Sequence, residues 1–166
     1  VEIMDNERTD AGVADAADRF YTGIGKITIR VRREVPGHVA NRLQAAIWRE
    51  AIHLVSSGVA TLEDVDKAVW AGPGLRWAAM GPNMLFHLGG GEGGLAAFCD
   101  RYFDSFNRWW EDLGVVQLDP ALVQTLVEGV TAAAHNQNHA DLAKQRDALI
   151  AAIQKAVAPL RHNGKV

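Results

Sequence analysis

The chain has 166 residues, 48% of them hydrophobic, enough to bury a sizeable core in one main domain. Seventeen basic and 20 acidic residues, a formal net charge of -3, are dispersed along it. That balance gives no electrostatic pull toward nucleic acid or an anionic membrane and leaves a small molecule or another protein as the expected partner. The single cysteine, Cys99, cannot form an internal disulfide, which fits a reducing compartment, with the cytoplasm as the expected location. The sequence contains no apolar run of membrane-spanning length, signal-peptide pattern, repeat or metal-binding cysteine cluster, and the tail 161–166 reads as frayed.

Val1-Glu2-Ile3-Met4 is a short apolar run, and Thr9 is placed to cap a helix over Asp10 to Thr22 that Gly23 and Gly25 end. In Lys26-Ile27-Thr28-Ile29-Arg30-Val31-Arg32, apolar and polar residues alternate. This predicts a strand with Ile27, Ile29 and Val31 on one face and a solvated opposite face. One strand-helix-strand unit cannot cover a parallel sheet on both sides. Residues 1–34 therefore read as the end of a larger α/β domain, and residues 35–166 as an all-α domain.

From Pro36 the spacing becomes helical. Val39, Leu43, Ala46, Ile47, Glu50, Ala51 and Leu54 make a mostly apolar stripe, widened by Ile52 and Val55 and closed by Ser56-Ser57-Gly58. Thr61 followed by Glu63 and Asp64 predicts a capped helix ending by Gly72. Pro82 suits a helix start, the glycine-rich stretch Gly89 to Gly94 interrupts the chain, and helical spacing resumes from Leu95 to Leu113. Asp119-Pro120 predicts a capped helix to about Ala134, and a last helix spans about Ala140 to Ala158, before Pro159.

Three segments in order carry a resemblance: Val1-Glu2-Ile3, the entry Val35-Pro36-Gly37-His38-Val39-Ala40-Asn41-Arg42-Leu43, and Gly72-Pro73-Gly74-Leu75-Arg76-Trp77 on to Pro82. Together they resemble the carboxy-terminal half of the 3-hydroxyacyl-CoA dehydrogenase family, with its last dinucleotide-domain strands at the front. Leu75-Arg76-Trp77 and Gly89 to Gly94 are more similar to members acting on small hydroxy acids, such as carnitine and gulonate dehydrogenases, than to the fatty-acid β-oxidation enzymes.

The resemblance implies a mainly α fold, the helical dimerisation domain of the 6-phosphogluconate and 3-hydroxyacyl-CoA dehydrogenase type, behind a βαβ remnant of a Rossmann domain. It implies NAD as cofactor of the intact enzyme and a homodimer formed through the helical domain. Glu2 would orient and charge-stabilise the family's catalytic histidine, and Asn41 would hydrogen-bond near the substrate oxygen or that histidine. Arg76 and Trp77 would bind substrate, the guanidinium pairing with a carboxylate. The family's histidine lies about a dozen positions ahead of its glutamate, and the glycine-rich cofactor fingerprint lies ahead of that. No bound NAD and no activity are therefore expected of these 166 residues alone.

Three competing readings are set against this one. His135-Asn136-Gln137-Asn138-His139 carries two histidines four apart, a zinc-like spacing, but its polar neighbours read as a loop. Met84 to Leu88, Gly89, Gly91, Gly94 and Val115 to Asp119 imitate a dinucleotide fingerprint, against which Met84 to Leu88 lacks β-branched residues and only helices follow. A helical interaction module without chemistry would leave Glu2 and Asn41 incidental.

Overall fold

The computed structural model describes residues 1–160; the frayed tail expected at 161–166 lies outside the described residues. The chain divides into two units, Val1–Trp48 and Arg49–Val166. The mainly α character holds: eight helices and one two-stranded sheet are found among the described residues.

In the first unit, β1 (Glu2–Met4) and β2 (Ile29–Val31) pair in parallel, with Glu2 opposite Ile29 and Met4 opposite Val31. Helix α1 (Val13–Gly23) makes the crossover. It starts three residues later than the sequence predicts. Thr9 Oγ1 accepts from the N–H of Asn6 (3.1 Å), and Asn6 Oδ1 accepts from that of Arg8 (2.9 Å), so Thr9 closes a turn rather than capping a helix. Gly12, at φ 84°, supplies the left-handed step into α1.

Strand β2 is also shorter than the alternation predicts, because β1 offers only three residues to pair with. Of the predicted apolar face, Val31 is buried at 6% exposure, whereas Ile27 is 62% exposed. The opposite face is exposed at Arg30 and Arg32, as expected, and is also bridged to α1: Thr28 Oγ1 donates to Asp18, and Arg30 pairs with Asp15 at 2.5 Å.

Helix α2 (Ala40–Ser56) begins at Ala40, not at Pro36, because Gly37 (φ 77°) and His38 (φ 47°) are both left-handed and cannot continue into a right-handed helix. Leu43 and Ile47 of its apolar stripe are exposed, as is Trp48 beside them, and Ile52 is buried.

In the second unit, α3 (Leu62–Ala71) opens on Thr61, whose Oγ1 accepts from the Asp64 N–H (3.1 Å) and donates to the Asp64 carboxylate (2.8 Å). The Gly72 to Pro82 stretch is itself helical. Pro73 takes the first position of α4 (Pro73–Ala79), and Pro82 that of α5 (Pro82–Gly89). A 3₁₀ turn (Gly91–Gly93) leads to α6 (Gly94–Asp112). Asp119 caps α7 (Pro120–Ala133) by accepting from the Leu122 N–H at 2.8 Å. Asn138 caps α8 (His139–Val157) by accepting from that of Asp141 at 3.0 Å.

The segment after α6 passes tightly over α2. Gly114 is buried, its N–H donates to Glu50 Oε2 (2.8 Å), and a Cβ built there would stand 2.0 Å from the His53 ring. Phe86 of α5 stacks on Phe98 of α6 at 4.6 Å and meets Phe106 of α6 edge to face at 5.7 Å. These rings bind the α5–α6 pair together.

Two competing readings fail on this architecture. Met84 to Leu88 lies inside α5, and Val115 to Asp119 is irregular, so the glycine run joins two helices and forms no strand-to-helix phosphate loop. His135 sits in a turn at φ 46° while His139 starts α8, so the two histidines share no helical face. His135 Nε2 instead lies 3.5 Å from Glu63 Oε1, and no group of metal-ligating residues occurs among the described residues. No helix among them is long and apolar enough to cross a membrane.

Candidate functional site

Val39, at the cap position of α2, has no side-chain acceptor for the orphan N–H groups of the first turn. The left-handed Gly37-His38 step turns the chain so that these groups meet the start of β1 instead. Glu2 Oε1 accepts from the Ala40 N–H at 2.7 Å and Oε2 from the Val39 N–H at 3.3 Å. His38 Nδ1 lies 3.7 Å from the same Oε2. One carboxylate thus caps a 17-residue helix from 37 residues away in sequence.

The Ala40 N–H, joined by that of Val39 and by the charge of His38 and the chain's amino group against a partial loss of hydration, holds the Glu2 carboxyl below its ordinary value. The positive end of the α2 dipole acts in the same sense. A group whose folded pKa is depressed stabilises the fold fully above its unfolded value and loses that contribution as pH falls through the folded one. In thermal melts between about pH 3 and pH 7, Glu2→Gln is expected to lower the melting temperature most at neutral pH, the gap to wild type closing on acidification. A gap that does not change with pH would contradict the cap.

Asn41 follows Ala40 directly and is exposed on the first turn of α2, so Glu2 and Asn41 are brought to the same helix start. Arg76 and Trp77 lie in the second unit, on α4. Arg76 is exposed and its guanidinium makes no ion pair among the described residues; Trp77 is half-buried.

The second unit also holds a cavity of about 470 Å³ whose walls include Asn83, Phe86, Phe98, Tyr102, Phe106 and Asn107. Neither this cavity nor the contact of His38 with Glu2 is foreseen from sequence. The uncapped start of α2 was the signal for the Glu2 contact, and the recurrence of aromatics at positions 98, 102 and 106 the signal for the cavity.

Glu2 and Asn41 thus meet at the start of one long helix, and comparison with known proteins gives the family to which the chain belongs. Residues 37–117 match the family described as 3-hydroxyacyl-CoA dehydrogenase, C-terminal domain. L-carnitine dehydrogenase of Streptomyces coelicolor is 44% identical over 160 residues, covering 96% of this chain and 50% of the relative. The enzyme of the same name from Pseudomonas aeruginosa is 38% identical over 157 residues, covering 95% and 49%.

Among solved structures, 5-formyl-3-hydroxy-2-methylpyridine 4-carboxylic acid 5-dehydrogenase, described as an NAD+-dependent dismutase, superposes with a TM-score of 0.66 at 27% identity, covering 96% of this chain and 50% of that one. The chain belongs to the 3-hydroxyacyl-CoA dehydrogenase family, on its carnitine dehydrogenase-like side. It spans about half the length of the curated relatives it matches. Similarity over nearly the whole chain also disfavours the reading as an interaction module without chemistry.

Proposed function

We propose that these residues form the carboxy-terminal half of an NAD-dependent dehydrogenase of small 3-hydroxy acids, residues 1–34 closing its dinucleotide domain and 35–166 forming its helical substrate and dimerisation domain. The observation that carries this reading is the Glu2 carboxylate, fixed and ionised on the first turn of α2 beside Asn41. Glu2 keeps lone pairs free to accept from the imidazole N–H of a histidine base. It sets that base's tautomer and stabilises the imidazolium formed as the substrate hydroxyl loses its proton. NAD, when bound, takes the hydride. Asn41 steadies the reacting oxygen, Arg76 offers an unpaired guanidinium to the substrate carboxylate, and Trp77 packs against the substrate.

L-carnitine is the substrate expected first, because it is the one named in the relatives. A homodimer accords with the exposed Leu43, Ile47 and Trp48 on α2 and Trp109 and Trp110 on α6. The exposed free thiol of Cys99 fits a cytoplasmic setting.

The test is NAD reduction by the complete protein with L-carnitine, 3-hydroxybutyrate, gulonate and a 3-hydroxyacyl-CoA. Turnover with L-carnitine at a kcat/KM about tenfold or more above 3-hydroxybutyrate is expected, a preference of about 1.4 kcal/mol. Turnover confined to the thioester would move the protein to the fatty-acid branch, and no turnover with any of them would remove the reading.

A further inference from the structure

His38 occupies a conformation that its own turn does not require. The His38 N–H donates to the Val35 carbonyl at 3.0 Å, closing a four-residue turn in which Pro36 is second and Gly37, at φ 77°, is third. That is the pattern of a type II turn, whose third residue takes positive φ and suits glycine. His38 comes fourth, yet it too is left-handed, at φ 47°. A residue with a Cβ is strained there and glycine is not, and strain of this kind persists where the surroundings hold it. Glycine at position 38 would make the same bend at less strain, so what the position gains is the imidazole.

That ring is turned to the Glu2 site. Its Nδ1 lies 3.7 Å from Glu2 Oε2, too long for a hydrogen bond but within ion-pair reach when the ring is protonated. Oε2 is also the more loosely held oxygen, accepting from the Val39 N–H at 3.3 Å where Oε1 accepts from that of Ala40 at 2.7 Å. The Glu2 side chain is 23% exposed and that of His38 44%, so solvent screens the pair only in part while the imidazole can exchange its proton with water.

The other charges placed around this pair are cations. The Arg42 guanidinium on α2 donates to the Pro36 carbonyl at 3.4 Å, and the chain's amino group, at the start of β1, donates to the Ile27 carbonyl at 2.6 Å. Strand β2 sets the uncharged Ile29 opposite Glu2. Of the side-chain types gathered here, imidazole is the ordinary switch of charge near neutral pH.

We propose that His38 is a positioning residue for the reaction: it shares the Glu2 carboxylate with the histidine base, so that a proton on one imidazole disfavours a proton on the other. This rests on the dehydrogenase proposed above and names a residue that tunes its base. A protonated His38 draws the field of Glu2 toward itself and repels a second imidazolium across the same carboxylate. The base is thereby kept neutral, the form that accepts the hydroxyl proton, to lower pH than Glu2 alone would allow.

The pH profile of kcat/KM for the complete protein tests this, with His38→Asn and His38→Gly beside wild type. Both residues accept a left-handed φ, so the turn into α2 is preserved, which circular dichroism checks. Without the competing charge the base holds its proton to higher pH. The acid limb is expected to move up by about half a pH unit in both variants, which makes the rate about threefold lower at a pH below the limb, the loss shrinking as pH rises.

Asparagine also offers an amide N–H near the place of Nδ1, and so separates charge from hydrogen bonding. A limb that moves in the glycine variant but not in the asparagine variant would overturn the inference, since a neutral donor would then suffice. So would a limb that stays put in both, or a rate lowered equally at every pH, the mark of a structural role. Wild type that oxidises none of the hydroxy acids would overturn the dehydrogenase reading and this inference together, whereas turnover with an unmoved limb overturns the inference alone.

Discussion

Glu2→Gln in the complete protein is expected to lower kcat for hydroxy-acid oxidation by about a hundredfold or more, with KM changed little. Glutamine preserves size but not chemistry. The Glu2 site is lined by donors, the N–H groups of Val39 and Ala40, and both carboxylate oxygens accept from them. An amide carries a single acceptor oxygen, so its NH₂ would face one of those donors, and the side chain would have to turn away from α2. The variant also loses the negative charge that stabilises an imidazolium opposite it, an interaction that grows as the proton moves and so acts on kcat. Glu2→Asp, one methylene shorter, keeps the charge but withdraws it from the helix start, and is expected to fall between wild type and glutamine.

Asn41→Ala separates positioning from charge. Because Asn41 is exposed and α2 begins before it, alanine leaves the helix intact, and a loss of about tenfold or more in kcat/KM without loss of stability is expected. Steady-state rates beside melting curves check both variants. Wild-type rates in Glu2→Gln would leave the carboxylate as a helix cap alone.

What was legible in the sequence follows how far each signal reaches along the chain. The Thr61 and Asp119 caps act on N–H groups three residues ahead, so residue type and spacing determine them, and the structure realises both. The α2 cap was illegible in the same terms, because its acceptor lies on another element and reaches the helix only after β1 and β2 have paired. Strand β2 failed in its length for a related reason, since alternation shows which residues can share a face but not how much partner strand is present to hold them.

Glu2 and Asn41 could be nominated from ordered motifs because family resemblance carries positions. Their meeting at one helix end depends on the left-handed Gly37-His38 step, and the imidazole at His38 gives no local warning of a positive φ. The α5–α6 joint was legible only as an interruption. The glycine run Gly89 to Gly94 predicts a break, but not that two backbones approach there so closely that a methyl group has no place.

That approach sets the largest expected loss of stability: Gly90→Ala should cost about 3 kcal/mol or more, or abolish folding of the helical unit. Gly90 is buried at φ -80°, an ordinary conformation, so the penalty is purely steric. A Cβ there would lie 1.8 Å from the Gly94 carbonyl oxygen and 2.7 Å from its carbon. Both are backbone atoms, and neither can swing aside as a side chain end would.

Gly94 has little room in turn: at its φ of 60° an added Cβ would stand 2.6 Å from the His87 ring, whose Nδ1 accepts from the Leu95 N–H at 3.2 Å at the start of α6. Opening the joint would also separate Phe86 from Phe98, stacked at 4.6 Å, and disturb the aromatic cavity. Gly81→Ala is the matched control: its φ is -64° and an added Cβ meets nothing within 4 Å, so it is expected to change stability by only a few tenths of a kcal/mol. Urea unfolding of the two variants beside wild type decides the matter. At about 2 to 4 °C per kcal/mol for a chain of this size, the first should melt some 10 °C lower. Equal stability in all three would mean that α5 and α6 do not cross at Gly90.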